Sequence, residues 1–307
     1  TPPCVSICDD APTITTARAA DDGPMATETT KPALIDDHAR PGAARSVRLV
    51  QFTDTHLLAD PHATLRGART LPRLRACLEH ARRLFFPVDA IAVTGDIVHD
   101  EPDAYDTVDL VFGEFDVPVL LIPGNHDLPD AMRRQLSHPP FQVGGEFRTA
   151  NGWQVLLLDS WFAESADGEG RLGPRQIETL EHALTSGAEP HAFVFLHHPP
   201  LPMDSPALDQ LGLLDGADLC RTVSRHARVR GVCWGHAHQA LDIFGAHDVR
   251  FMCTPATSMQ FRPRNATFEI DDRPPGYRVI DLRADGAIAS EVVWLEGYEE
   301  KRVAGRG

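Results

Sequence analysis

Five short clusters of Asp, Asn and His punctuate this 307-residue chain: Asp54-Thr55-His56, Gly95-Asp96, Gly124-Asn125-His126-Asp127, His197-His198-Pro199-Pro200 and Gly235-His236-Ala237-His238. Carboxylate, amide and imidazole are the donors that hold borderline divalent cations. If Asp54 and His56 continue the strand before them, the two-residue period of a strand places both side chains on one face. The same holds for His236 and His238. Asn125 offers a neutral carbonyl ligand, His126 a proton donor, and Asp127 a carboxylate that can orient a neighbouring imidazole. Of the adjacent pair, His198 competes with His197 for the ligand role. Each cluster alone reads equally well as a turn, a helix cap or a surface His pair. Five of them, each at the end of an apolar run, do not arise by coincidence.

The apolar runs say which elements must position these groups. Strands are expected at 47–52, 90–93, 117–122, 153–158, 191–196 and 231–234, alternating with helices at 71–86, 103–112, 173–184 and 217–226. Strands alternating with crossover helices predict an α/β protein, and such sheets bind ligands at the carboxyl ends of their strands, where the five clusters lie. The later runs at 241–244, 249–253, 277–282 and 288–294 are joined by turns and predict a mostly antiparallel second sheet.

Composition narrows the functional classes. With 44 acidic against 29 basic side chains the net charge is -15, which argues against a nucleic-acid partner because that affinity rests on Lys and Arg. The six cysteines form no C-x-x-C pair, so reduced thiols and a cytoplasmic location are expected. No apolar run approaches the roughly 18 residues of a membrane span, so no membrane partner is expected. Residues 1–45 contain six prolines and no Phe, Trp or Tyr, and are expected to be a disordered tail. The catalytic domain is expected over 46–300, with a short tail at 301–307.

The ordered set Asp54-x-His56, Gly95-Asp96, Gly124-Asn125-His126-Asp127, His197-x-Pro199 and Gly235-His236-x-His238 resembles the calcineurin-like metallophosphoesterase superfamily over about residues 47–295. Softer motifs, Leu65-Arg66-Gly67-x-x-Thr70, Thr254-Pro255-Ala256-Thr257-Ser258-Met259-Gln260-Phe261 and Pro275-Gly276-Tyr277-Arg278, are similar to bacterial class III 3',5'-cyclic-AMP phosphodiesterases. The chain departs from that pattern at Ala256 and Ser258, where Ser and Cys are expected, and at Arg69, where Asn is expected. All three lie outside the metal set and bear on substrate selection.

The resemblance implies a four-layer αββα sandwich of two mixed β-sheets flanked by helices. It implies two divalent ions, of Mn, Fe, Zn or Co: Asp54, His56 and His238 on the first, Asn125, His197 and His236 on the second, with Asp96 bridging. Cations about 3.5 to 4 Å apart acidify a shared water and neutralise phosphoryl oxygens. With one hydroxide the centre keeps about one positive charge, which suits a monoanionic diester. The implied reaction is hydrolysis of 3',5'-cyclic AMP to 5'-AMP, with His126, oriented by Asp127, protonating the leaving oxygen. Arg66 and Phe261 are candidate contacts to phosphate and base, beside Asn125 and His126. The alternatives are a diesterase for glycerophosphodiesters or other cyclic nucleotides, and a metal-binding scaffold without activity. A homodimer is the candidate assembly.

Overall fold

The computed structural model describes residues 46–299, so the tails expected at 1–45 and 301–307 lie outside the described residues. Apolar, β-branched runs form the central strands β1 (Val47–Phe52), β2 (Ala90–Thr94) and β3 (Val119–Ile122). They pair in parallel, β3 also pairs in parallel with β4 (Phe141–Val143), and every residue of β2 and β3 is buried. A second parallel set is built from β6 (Trp153–Leu157), β7 (His191–Phe195), β8 (Val229–Trp234) and β10 (Arg250–Cys253), with β5 (Gly145–Arg148) and β9 (Leu241–Phe244) antiparallel at its two edges.

The antiparallel second sheet expected from the later runs does not form. Strands β13 (Gly276–Leu282) and β14 (Ile288–Trp294) extend the first sheet as an antiparallel edge, β13 pairing with β1, whereas β9 and β10 join the second. The result is two mixed six-stranded sheets, in the orders β14-β13-β1-β2-β3-β4 and β5-β6-β7-β8-β10-β9. A small ladder of β11 (Gln260–Phe261) and β12 (Ile270–Asp271) stands apart. The hairpin runs look alike in sequence, and only the faces they cover decide which sheet takes each one.

Three apolar layers hold the molecule together. Leu49, Ala92 and Leu120 from the first sheet interlock with Val155, Phe193 and Phe195 from the second. The other face of the first sheet, with Val50 and Phe52, packs on α1 (Thr70–Phe85), α2 (Tyr105–Phe112) and α3 (Pro129–Gln135). Helix α1 buries Leu71, Leu74, Leu78, Ala81 and Phe85 at helical spacing, and its Arg82 and Arg83 complement the dipole in the last turn. Helix α4 (Gly173–Ser186) and helix α6 (Gly216–Arg225) cover the second sheet with Leu180, Leu184, Leu219 and Val223. A short helix α5 (Pro206–Asp209) follows the His197 cluster. Arg278, 1% exposed, crosses between the sheets and donates to Thr254 Oγ1 and to the carbonyls of Leu241 and Cys253, so its buried charge is fully hydrogen-bonded. No described helix is long and apolar enough to cross a membrane.

Candidate metal centre

All five clusters emerge at the carboxyl ends of parallel strands, three from the first sheet (β1, β2, β3) and two from the second (β7, β8). The side chains do not continue the strands. Asp54, His56, Asp96, His236 and His238 all have positive φ, between 44° and 64°. Such backbone costs on the order of 1 to 3 kcal/mol per residue and concentrates at functional sites. Asp54 and His56 meet in one group as expected, though through kinks and not strand alternation, and the expectation that His236 and His238 share a face is corrected. Left-handed kinks turn the side chains inward, and they send His236 and His238 to different groups.

One group comprises Asp54, His56 and His238. His238 Nε2 lies 3.3 Å from Asp54 Oδ1 and 3.3 Å from His56 Nε2. The other comprises His197, His198 and His236, with Asn125 Oδ1 3.0 Å from His236 Nδ1. Asp96 stands between the two: Oδ1 is 3.4 Å from His197 Nε2 and Oδ2 is 3.6 Å from His56 Nε2. Close packing at this junction requires glycine at 124, because a Cβ there would land on Asp96 Oδ1 and 2.6 Å from His197 Nε2.

The chemistry of these donors fits two cations. His197 Nδ1–H donates to the Thr94 carbonyl at 2.8 Å and His238 Nδ1–H to the Met259 carbonyl at 2.6 Å. Each bond fixes the tautomer and leaves Nε2 bare, the arrangement that prepares histidine for metal binding. Among the described residues, the buried Nε2 atoms of His197 and His236 have no hydrogen-bond partner, a cost that a cation removes. His198 differs from both. Its Nδ1 lies 2.8 Å from Ser160 Oγ and its Nε2 3.1 Å from the Gly168 carbonyl, so both nitrogens are occupied.

The electrostatics separate the rings: His56 and His236 are held neutral, whereas His197 favours its protonated form until a cation displaces the proton. Burial alone would raise the Asp54 and Asp96 carboxyls, but His238 and His197 respectively hold them below the ordinary range. Burial pushes His56 well down, and burial with His197 pushes His236 down to about 3, so both rings are neutral, the form a cation requires. Burial also opposes the His197 imidazolium, yet Asp96 outweighs it and lifts the ring to about 9.

His126 sits at the rim, its backbone N–H donating to Asp96 Oδ1 at 2.9 Å. The expectation that Asp127 orients its ring is corrected. The Asp127 carboxylate accepts the backbone N–H groups of Ile97, Val98 and Gly124 and the Tyr105 hydroxyl, bracing the loops beneath the site. The His126 ring pairs instead with Asp100, Nδ1 to Oδ2 at 3.1 Å. His99 was not singled out in the sequence. Its Nδ1 lies 3.1 Å from His56 Nδ1, and its ring lies 4.2 Å from that of His126, tilted by 35°. The signal for both missed residues was their place in the loop that follows Gly95-Asp96.

The substrate candidates are partly rearranged. Phe261 stacks on His238 at 4.4 Å, so one of its faces is taken, and Arg66 stands exposed with its guanidinium 5.9 Å from the Phe261 ring. Ala256 and Ser258 are fully buried, where the Gln260 side chain binds both backbone groups of Ala256. The segment whose departures were expected to bear on substrate selection supports His238 from behind, through the Met259 carbonyl.

Residues 47–240 match the calcineurin-like phosphoesterase family model. The chain belongs to the calcineurin-like phosphoesterase family. It is 36% identical over 252 residues to a 3',5'-cyclic adenosine monophosphate phosphodiesterase of Escherichia coli K12, covering 82% of this chain and 90% of that one. It is 33% identical to a probable cyclic nucleotide phosphodiesterase of a Synechococcus strain, covering 86% and 97%. A dimetal phosphatase from Danio rerio shares the fold with a TM-score of 0.58 at 16% identity, covering 80% of this chain and 99% of that one.

Proposed function

We propose that the chain is a two-cation phosphodiesterase that hydrolyses 3',5'-cyclic AMP to 5'-AMP. The observation that carries the chemistry is Asp96, which turns one oxygen toward His197 and the other toward His56. The substrate reading is supported by relatives named for cyclic-AMP hydrolysis at 30–36% identity. Asp54, His56 and His238 would hold one cation and Asn125, His197 and His236 the other, with Asp96 shared. Bound there, Mn, Fe, Zn or Co supplies an activated water and neutralises the phosphoryl oxygens.

The remaining work falls to the protein's own groups. His126 keeps Nδ1 on Asp100, which frees Nε2 to protonate the departing 3' oxygen, a contribution typically about a hundredfold to ten-thousandfold. Asp127 holds the Gly124 and Ile97 backbone, fixing the loops that carry Asn125 and Asp96. Arg66 meets the phosphate from the exposed rim and Phe261 forms the wall beside it. A cytoplasmic setting fits the free, buried thiols of Cys77, Cys220, Cys233 and Cys253. The acidic surface fits a small substrate better than nucleic acid, and a homodimer is the assembly to test by light scattering.

The test is to strip the protein, reload it with Mn, and offer 3',5'- and 2',3'-cyclic nucleotides and glycerophosphodiesters, identifying each product. Turnover of 3',5'-cyclic AMP to 5'-AMP is expected. Turnover of glycerophosphodiesters alone would replace the substrate, and no turnover by a doubly loaded protein would replace the enzymatic reading.

A further inference from the structure

We propose that His198 is a positioning residue that anchors the loop at 159–171 against the second cation's pocket, and not a ligand. The loop wraps the buried His198 ring at three points. Ser160, itself fully buried, accepts the His198 backbone N–H at 3.3 Å and gives its hydroxyl proton to Nδ1 at 2.8 Å. Nε2–H donates to the Gly168 carbonyl at 3.1 Å. Gly170 approaches so closely that a Cβ would land on the ring.

These contacts specify one tautomer and use both nitrogens, so no lone pair remains for a metal. The anchored loop reaches the site at Gly168, where a Cβ would stand 3.1 Å from Asn125 Nδ2. The ring itself lies edge-on to His197 at 4.8 Å and against His236 at 4.7 Å. His198 thus places one wall of the pocket beside Asn125 and His236, and through that wall it governs how tightly a diester is held. This inference rests on the proposed cation site for its effect on substrate, but the anchoring itself does not.

The loop contains Glu164 and Glu169, so a glutamyl-specific protease reads its opening directly. The Mn-loaded full chain is compared with Ser160→Ala, His198→Gln and His198→Ala, following cleavage sites by mass spectrometry, metal content by elemental analysis, and KM and kcat for cyclic AMP. Losing both buried hydrogen bonds of the Ser160 hydroxyl should open the loop about 5- to 100-fold more often, so Ser160→Ala is cut faster by that factor. His198→Gln keeps an N–H for Gly168 and falls between wild type and His198→Ala. All variants keep wild-type metal content, with KM raised more than kcat is lowered.

Loss of one cation in His198→Ala with unchanged cleavage would make His198 a ligand and overturn the proposal. Unchanged cleavage and KM in Ser160→Ala and His198→Gln would overturn it even if His198→Ala does not fold. A wild-type chain that binds no metal, with cleavage still faster in the variants, would sink the proposed function and leave the anchor standing.

Discussion

Side chains here divide between those with a free donor atom and those whose donors are satisfied by protein, and that division predicts what each substitution does. His126 contributes its backbone N–H, but not its ring, to Asp96. His126→Ala should therefore keep both metals while turnover falls about a hundredfold to ten-thousandfold, checked by metal analysis beside steady-state kinetics. A lost metal would make the ring a ligand. His99 should behave oppositely. If His56 Nε2 binds a cation, its Nδ1–H donates to His99 Nδ1 at 3.1 Å. Removing such a partner typically weakens metal binding about 10- to 100-fold. His99→Ala should show that loss in a chelator competition titration, and His99→Asn should recover part of it. The candidate donor types were legible in the sequence because so few residue types bind such metals. Asp100, His99 and the true role of Asp127 were not, because partners of a ring depend on loop conformation.

At the scale of elements, the strands supply direction and the kinks at their ends supply aim. The apolar runs marked the strands and main helices to within a few residues, since burial on both faces demands continuous apolar sequence. The short pieces escaped notice: β4 and β5 span three and four residues and α3 seven, too few to show a period. The positive-φ turns were equally invisible, as Asp and His give little local sign of them. The loop at Gly124, packed against the Asp96 turn, tolerates no added bulk. Gly124→Ala places a methyl on Asp96 Oδ1, an overpacking expected to cost about 1 to 3 kcal/mol. The variant should fold by circular dichroism yet bind metal weakly, and wild-type affinity by calorimetry would show that the loop re-forms without strain.

In the whole molecule, the centre is a joint between two sheets. Asp54, His56, Asp96 and Asn125 come from the first, and His197, His236 and His238 from the second. A cation bound across that joint favours the packed state by mass action, about 2.7 kcal/mol when free metal is 100 times its dissociation constant. Thermal melting should therefore rise with added Mn and fall with a chelator, whereas Asp96→Asn should melt at one temperature in both. A wild-type melt indifferent to metal would mean that the two sheets hold the site open without it. By itself the sequence named the candidate donors, the strands that carry them and the family pattern, because ligand chemistry and two-sided burial restrict residue type position by position. The tertiary structure alone decided which hairpin joins which sheet, that His236 and His238 part company, and that Asp96 faces both groups. Those outcomes depend on how elements separated in sequence pack against one another, and no local pattern encodes that.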